Sequence, residues 1–419
     1  MMRGKLSFIL LISSLLSFGS ANSSLAQGEY QGFIYGKVTT ITNQTYVGRI
    51  RWGSEEVYWS DHFNSSKTDS RNFNFKSYKE KSEDKKSKDW LDFNWEFLSI
   101  WDDKYSAGRS SHIFACQFGD LKTIRVIDSD DVIIELKNGA EMKLRGYSND
   151  IGARIKVLDV EIGEIALKWS RIKRVEFSEA PSDLDDSFGK PLEGVLETTN
   201  EETLSGIIQW DHDERISTDK LDGDSRQGKL AVPFGKIKSL QKMGKGTNMV
   251  LHSGKEFYLT GSNDVNAENK GIIVTIDGVG RVDVPWSKFR KVTFSKNGKS
   301  GKGYNEYKVP KGIKGTVKVI DGTPLDGLII FDLDEAWEFE ILDGQNNGME
   351  YKIPFRNIKK IIPKNYNYST VILKNGHRLI LGDSQDVSER NDGLLIFEDN
   401  NNEPEYVKWK NIDEIILDP

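Results

Sequence analysis

A single cysteine in 419 residues excludes an intrachain disulfide framework. Histidine is scarce too, with five residues, and none stands at a spacing that a zinc site or a catalytic base requires. H-E-x-x-H, G-x-S-x-G and a P-loop are absent. Helical periodicity is nearly missing. After residue 26 no apolar run approaches the roughly 20 residues that a membrane span needs. Positive charge is also short: 58 Lys+Arg face 64 Asp+Glu, a formal net charge of -6. An acidic chain lacks the counterion-releasing surface of a nucleic-acid binder.

What is present begins with an address. In residues 1–26, Arg3 and Lys5 precede an apolar run from Leu6 to Phe18, and Ser24-Leu25-Ala26 closes with small residues. This pattern predicts a secretory signal peptide, with export to the periplasm or the extracellular space. Its removal leaves 56 bases against 64 acids. The remaining cysteine, Cys116, means that an exported fold would rest on its core alone.

The rest of the chain repeats itself. Glycines recur 12 residues apart at Gly36/Gly48, Gly194/Gly206 and Gly315/Gly327, and four residues later stands an aromatic: Trp52, Trp210 or Phe331. Each such unit closes on a phenylalanine and a basic-apolar run, from Phe118, Phe234 and Phe355. A second kind of unit follows. It passes a turn with Asp150, Asp264 or Asp386 and ends on Trp169, Trp286 or Trp409. From Gly194 to Gly315 the period is 121 residues, and from Gly36 to Gly194 it is 158. Matching Trp95-Glu96-Phe97 to Trp337-Glu338-Phe339 places the excess at about 54–93 as an insert in the first copy.

Short β-branched runs between Gly, Asn and Asp predict an all-β protein. A unit of some five short strands cannot cheaply leave its edges open, which favours a strongly bent, nearly closed barrel. The stretch from Thr203 to Leu240, with a Gly on a bent second strand, an acidic hairpin and two edge strands, resembles an Sm-like or SH3-like small barrel. The repeat set is also similar to that of secreted bacterial repeat proteins. The resemblance implies a tandem array of about six small five-stranded barrel units in three repeated pairs, at 30–128, 129–180, 190–243, 246–297, 311–364 and 367–419. It implies fold and not function. The RNA-contacting pattern of the Sm family is not evident.

Trp169, Trp286 and Trp409 read as packing residues, because one indole buries a large apolar area. Cys116 aligns with Val232 and Ile353 and so reads as a buried strand position, not a nucleophile paired with His112. Asp211–Glu214 and Asp332–Glu335 read as solvated hairpin tips, with calcium binding as the alternative. Asp150, Asp264 and Asp386 read as Asx-type turns. No cofactor is implied. The asymmetric feature is the insert, whose aromatics Trp59, Phe73, Phe75 and Tyr78, with Trp90, are the candidate ligand-binding residues. The leading expectation is an exported non-enzymatic binding or scaffold protein, with a protein or glycan of the cell envelope or extracellular space as partner. The alternative is a secreted hydrolase acting on glycan or peptide, with a site between units.

Overall fold

The computed structural model describes residues 30–67, 113–146, 150–398 and 404–419. Residues 1–26, expected to be a leader, and the candidates Phe73, Phe75, Tyr78 and Trp90 lie outside them. Alternation of buried and exposed side chains produces strands nearly everywhere, as in Ile412–Leu417, where Ile412, Ile415 and Leu417 are buried and Asp413 is exposed. The first stretch, 30–177, forms β1 (Tyr35–Thr40), β2 (Thr45–Trp52), β3 (His62–Lys67), β4 (Ile113–Gln117), β5 (Leu121–Val126), β6 (Asp131–Leu136), β7 (Glu141–Arg145), β8 (Ile155–Asp159), β9 (Gly163–Leu167) and β10 (Ile172–Phe177). The second, 191–294, forms β11 (Glu193–Thr198), β12 (Thr203–Trp210), β13 (Lys220–Ser225), β14 (Gly228–Pro233), β15 (Ile237–Met243), β16 (Gly246–Leu251), β17 (Glu256–Leu259), β18 (Ile272–Ile276), β19 (Gly280–Val284) and β20 (Phe289–Phe294). The third, 312–417, forms β21 (Lys314–Val319), β22 (Leu325–Phe331), β23 (Ile341–Asn346), β24 (Met349–Pro354), β25 (Ile358–Pro363), β26 (Tyr368–Leu373), β27 (Arg378–Gly382), β28 (Leu394–Phe397), β29 (Glu405–Val407) and β30 (Ile412–Leu417).

All ladders between these strands are antiparallel, and the helical residues are short 3₁₀ turns such as Phe118–Asp120. No closed barrel forms among the described residues. The first stretch is an open sheet in the order β4-β3-β7-β6-β5-β10-β1-β2-β8-β9, and strands of the other two share an eighteen-stranded sheet, with β13–β14 as a separate hairpin. The pairing crosses the boundary expected near residue 128. β1 lies between β2 and β10, β5 between β6 and β10, and β2 joins β8. Strands on both sides of that boundary satisfy their edges on each other instead of curling into two barrels. The same links recur from β11 to β12 and β20, and from β21 to β22 and β30.

The glycine pairs have a structural cause. Gly36, Gly194 and Gly315 stand directly opposite Gly48, Gly206 and Gly327 across a hairpin. A Cβ on Gly48 would lie 1.8 Å from the Leu158 carbonyl oxygen, and one on Gly206 or Gly327 would lie 2.2 or 2.1 Å from that of Thr275 or Phe397. Neighbouring strands approach too closely there for any side chain. Bulges recur as well, at Thr39/Thr40, Glu197/Thr198 and Lys318/Val319.

The recurrent aromatics meet in the core. Trp169, Trp286 and Trp409 are buried, edge-on to Trp52, Trp210 and Phe331 at 6.0, 5.9 and 5.9 Å. Each stretch touches both others. The second and third share one apolar core, and the core of the first takes in Trp337, Phe339, Leu395 and Phe397 of the third. Phe33, Val57 and Tyr58 pack with Phe188, Ile207 and Ile216 on the side of the second. β19 and β24 join the second and third stretches by a ladder.

Candidate functional site

The acidic turns after β2, β12 and β22 are not solvated tips. Trp52 bridges to Glu56, Trp210 to Glu214 and Phe331 to Glu335, so each turn is pinned at its neck. Asp211 and Asp332 adopt positive φ, 48° in both, with Gly53 at 62° in the first stretch. Both aspartates are buried, because their carboxylates accept backbone N–H groups from the loop before the following strand: Lys270 N to Asp211 at 2.5 Å, and Asp392 N to Asp332. Buried carboxylates satisfied by amides are structural groups.

The residue after the neck begins a motif that the sequence reading missed. Val57 N and Tyr58 N donate to Asp61 Oδ2 at 2.7 and 2.8 Å. Arg215 N and Ile216 N donate to Asp219 Oδ2 at 2.7 and 3.1 Å. Ala336 N and Trp337 N donate to Glu340 Oε2 at 2.6 and 2.9 Å. The other oxygen of each carboxylate binds a cation from a different stretch. Arg215 pairs with Asp61, Arg51 Nη1 with Asp219 Oδ1 at 2.7 Å, and Lys67 Nζ with Glu340 Oε1 at 2.6 Å. Arg51 also donates to the Asp213 carbonyl at 2.7 Å, and Lys67 to the equivalent Asp334 carbonyl at 2.5 Å. One carboxylate thus fixes its own turn and ties down a neighbour. Arg215 is fully buried, 4.8 Å from the Tyr58 ring centroid, and its Nε and Nη1 have no hydrogen-bond partner. A cation so incompletely satisfied adds little net stability, while removal of its one carboxylate would be costly. Another tie joins the third stretch to the first: Arg356 grips Asp120 with both terminal nitrogens, at 2.5 and 3.0 Å, and also donates to Gln117.

These matches relocate the insert. Residues 52–67, 210–225 and 331–346 correspond one for one, so Tyr58 and not Trp95 stands where Trp337 does. Gly48 to Phe118 spans 70 residues, where Gly206 to Phe234 and Gly327 to Phe355 span 28. The extra residues fall between β3 and β4, which pair as β13 pairs with β14 around Arg226-Gln227. Trp59 belongs to the core. It is fully buried, donates from Nε1 to the Gln31 carbonyl at 3.1 Å, and packs against Phe177 and Tyr304.

A second carboxylate recurs. Asp150, Asp264 and Asp386 accept the N–H of Asn64, Asp222 and Asp343 at 2.6, 2.7 and 2.6 Å. They reach across to the third strand of each stretch, which the expectation of local turns did not foresee. The indoles of Trp52 and Trp210 donate to the carbonyls of Asp150 and Asp264, both at 2.9 Å. Burial pushes Asp150 up to about 7 and Asp264 up to about 6. Glu214 is pushed up to about 10, first by burial and then by Asp213 and Asp264, while Glu56 and Glu335 are raised well above the usual range for the same reasons.

No family model, curated protein or solved structure matches the chain.

Cys116 lies opposite Phe63, buried, at the place of Val232 and Ile353, and burial raises its thiol well above the usual value. His62 is buried in β3 with neither ring nitrogen hydrogen-bonded, and burial, then Arg281, Lys352 and Arg356, lower it well below the ordinary value. His252 and His377 are exposed, and His112 lies outside the described residues. Among the described residues no three His, Cys, Asp or Glu side chains group to hold a metal ion.

Proposed function

We propose that the protein is an exported, non-enzymatic binding or scaffold protein, built from three tandem copies of a module in which two halves related to Sm-like or SH3-like barrels share one sheet. One observation carries this reading. The carboxylates that recur, Asp61, Asp219 and Glu340 with Asp150, Asp264 and Asp386, are all engaged by backbone amides. What the copies have in common therefore serves architecture, and function falls to what differs between them. The largest difference is the segment between Lys67 and Ile113, rich in aromatic and charged residues. A protein or glycan of the envelope or extracellular space is the partner such a segment suits, and the acidic balance argues against nucleic acid.

The test is capture from envelope extract, polysaccharide included, by the chain lacking residues 1–26. A second version has residues 68–111 replaced by Arg-Gln, the turn that joins β13 to β14. The proposal expects a partner held by the intact protein and lost from the shortened one. A partner held by both moves the site to the modules. Capture by neither, with release of sugars or peptides from the extract, replaces the reading with the hydrolytic one.

A further inference from the structure

We propose that copies of this chain assemble head to tail by pairing β9 of one molecule with β14 of the next. This goes beyond the binding reading and does not depend on it, since it rests on sheet edges alone.

The precedent is inside the molecule. β19 pairs with β24, placing Arg281 opposite Lys352, Val282 opposite Tyr351 and Asp283 opposite Glu350. Side-chain carbonyl contacts seal the ladder: Asn357 Nδ2 donates to the Val279 carbonyl and Asn375 Nδ2 to that of Gly278, both at 3.2 Å. In this ladder Val282, Val284, Tyr351 and Ile353 are buried.

Among the described residues, the first stretch carries one of these two edges unpaired and the second stretch carries the other. β9 occupies the place of β19, since Gly163 faces Asp159 as Gly280 faces Ile276. β14 occupies the place of β24, since Gly228 faces Ser225 as Met349 faces Asn346. Among the described residues, β9 pairs only with β8 and β14 only with β13. The cost of the missing partner is visible. Ile162, at the position of Val279, is 63% exposed, whereas Val279 is 4% exposed. The surface it would meet is also free: Lys236 and Ser253, at the places of Asn357 and Asn375, are exposed.

The internal register, applied to these edges, sets Ile165 opposite Leu230, Glu164 opposite Ala231 and Ala166 opposite Lys229. Ile165 and Leu230 are both half-buried, an apolar pair awaiting cover. Charge is complementary. The β9 edge carries Glu161 and Glu164, and the β14 edge carries Lys229 and Lys236, all exposed. Glu164 pairs with Lys156, at 3.3 Å on the surface. Like charge discourages β9–β9 and β14–β14 pairing, so the complementary combination is selected. Because the two surfaces differ, the contact is heterologous and propagates into rings or filaments. β4 and β29, the remaining equivalents of these edges, flank residues outside the described set.

Sedimentation velocity from micromolar to submillimolar concentration, with electron microscopy of the upper end, tests this on the chain lacking residues 1–26. The expected result is concentration-dependent oligomers. Ile162→Glu weakens association by about tenfold or more, and Ala231→Pro abolishes it. Pro233 sits two residues from Ala231, and because Phe234 N donates to the Asp219 carbonyl on the β13 side, residues 231 and 233 both face the outer edge, so the hairpin with β13 already tolerates a proline at this alternation. Circular dichroism of each variant confirms the fold. Glu164→Lys and Lys229→Glu each weaken association, and the doubly reversed protein recovers it. A monomer at every concentration, or oligomers indifferent to Ile162→Glu and to the charge reversals, overturns the proposal.

Discussion

At the residue scale the decisive groups are carboxylates that look catalytic by composition and are structural by contact. Asp61 accepts two amides and faces a buried guanidinium, so truncation leaves Arg215 with no counter-charge. Asp61→Ala should cost about 3–5 kcal/mol in urea unfolding. Asp61→Asn keeps an acceptor for the amides and should cost less. A loss below about 1 kcal/mol for Asp61→Ala would remove its structural role. The second carboxylate set makes stability depend on pH. Asp264 and Asp150, with folded values near 6 and 7, hold protons where an unfolded aspartic acid has lost them. Their stabilisation is fully present below about pH 4 and is lost as pH rises through 6 and then 7. Asp131, lowered to about 2 by hydrogen bonds from Arg145 and Lys143, acts the other way and loses its contribution as pH falls below about 4. The melting temperature should therefore peak in mild acid and fall by roughly 5 °C between pH 5 and pH 8. Asp150→Asn should flatten that slope, and an unchanged slope would contradict the assignment.

At the element scale, the strands and the close approaches were written locally, and the partnerships were not. The 12-residue glycine spacing signals a hairpin with a fixed crossing. Gly48→Ala or Gly206→Ala should destabilise by about 3 kcal/mol, because the added methyl meets a carbonyl oxygen and not a movable side chain. Wild-type stability in either variant would show that the strands can separate freely. The buried indoles and Cys116 were equally legible, since alignment within the chain put each on an apolar position. Pairing of β1 with β10 was not, because those strands lie some 135 residues apart and no local pattern encodes their partnership. The insert was misplaced for a related reason. The segment ending at Phe118 is longer in the first stretch, but the linker from Trp169 to Gly194 is 25 residues against 29 from Trp286 to Gly315. The two departures partly cancel, so Trp95 fell at the distance that imitates Trp337. The gap-free match of GRIRWGSEEVYWSDHF with GIIQWDHDERISTDKL was the available signal, and it would have revealed Asp61 and Asp219. If it is right, exchanging residues 68–111 for Arg-Gln should leave the melting temperature within about 5 °C of the parent.

At the scale of the whole molecule, three stretches of similar pairing are held together by unlike ties. The second and third share a ladder, whereas the first is fastened to the others by Asp61–Arg215, Arg51–Asp219, Lys67–Glu340 and Asp120–Arg356. Such buried ion pairs add little net stability, and the proposed scaffold role would use them to hold the stretches in a set arrangement. The most direct measurement is hydrogen exchange on the full chain with Arg215→Ala. If the recurrent carboxylates are architectural cross-ties, protection falls in both the first and the second stretch, around Val57–Asp61 and Ile216–Asp219, while the β19–β24 ladder keeps its own. Protection lost only around residue 215, or lost nowhere, would contradict the account.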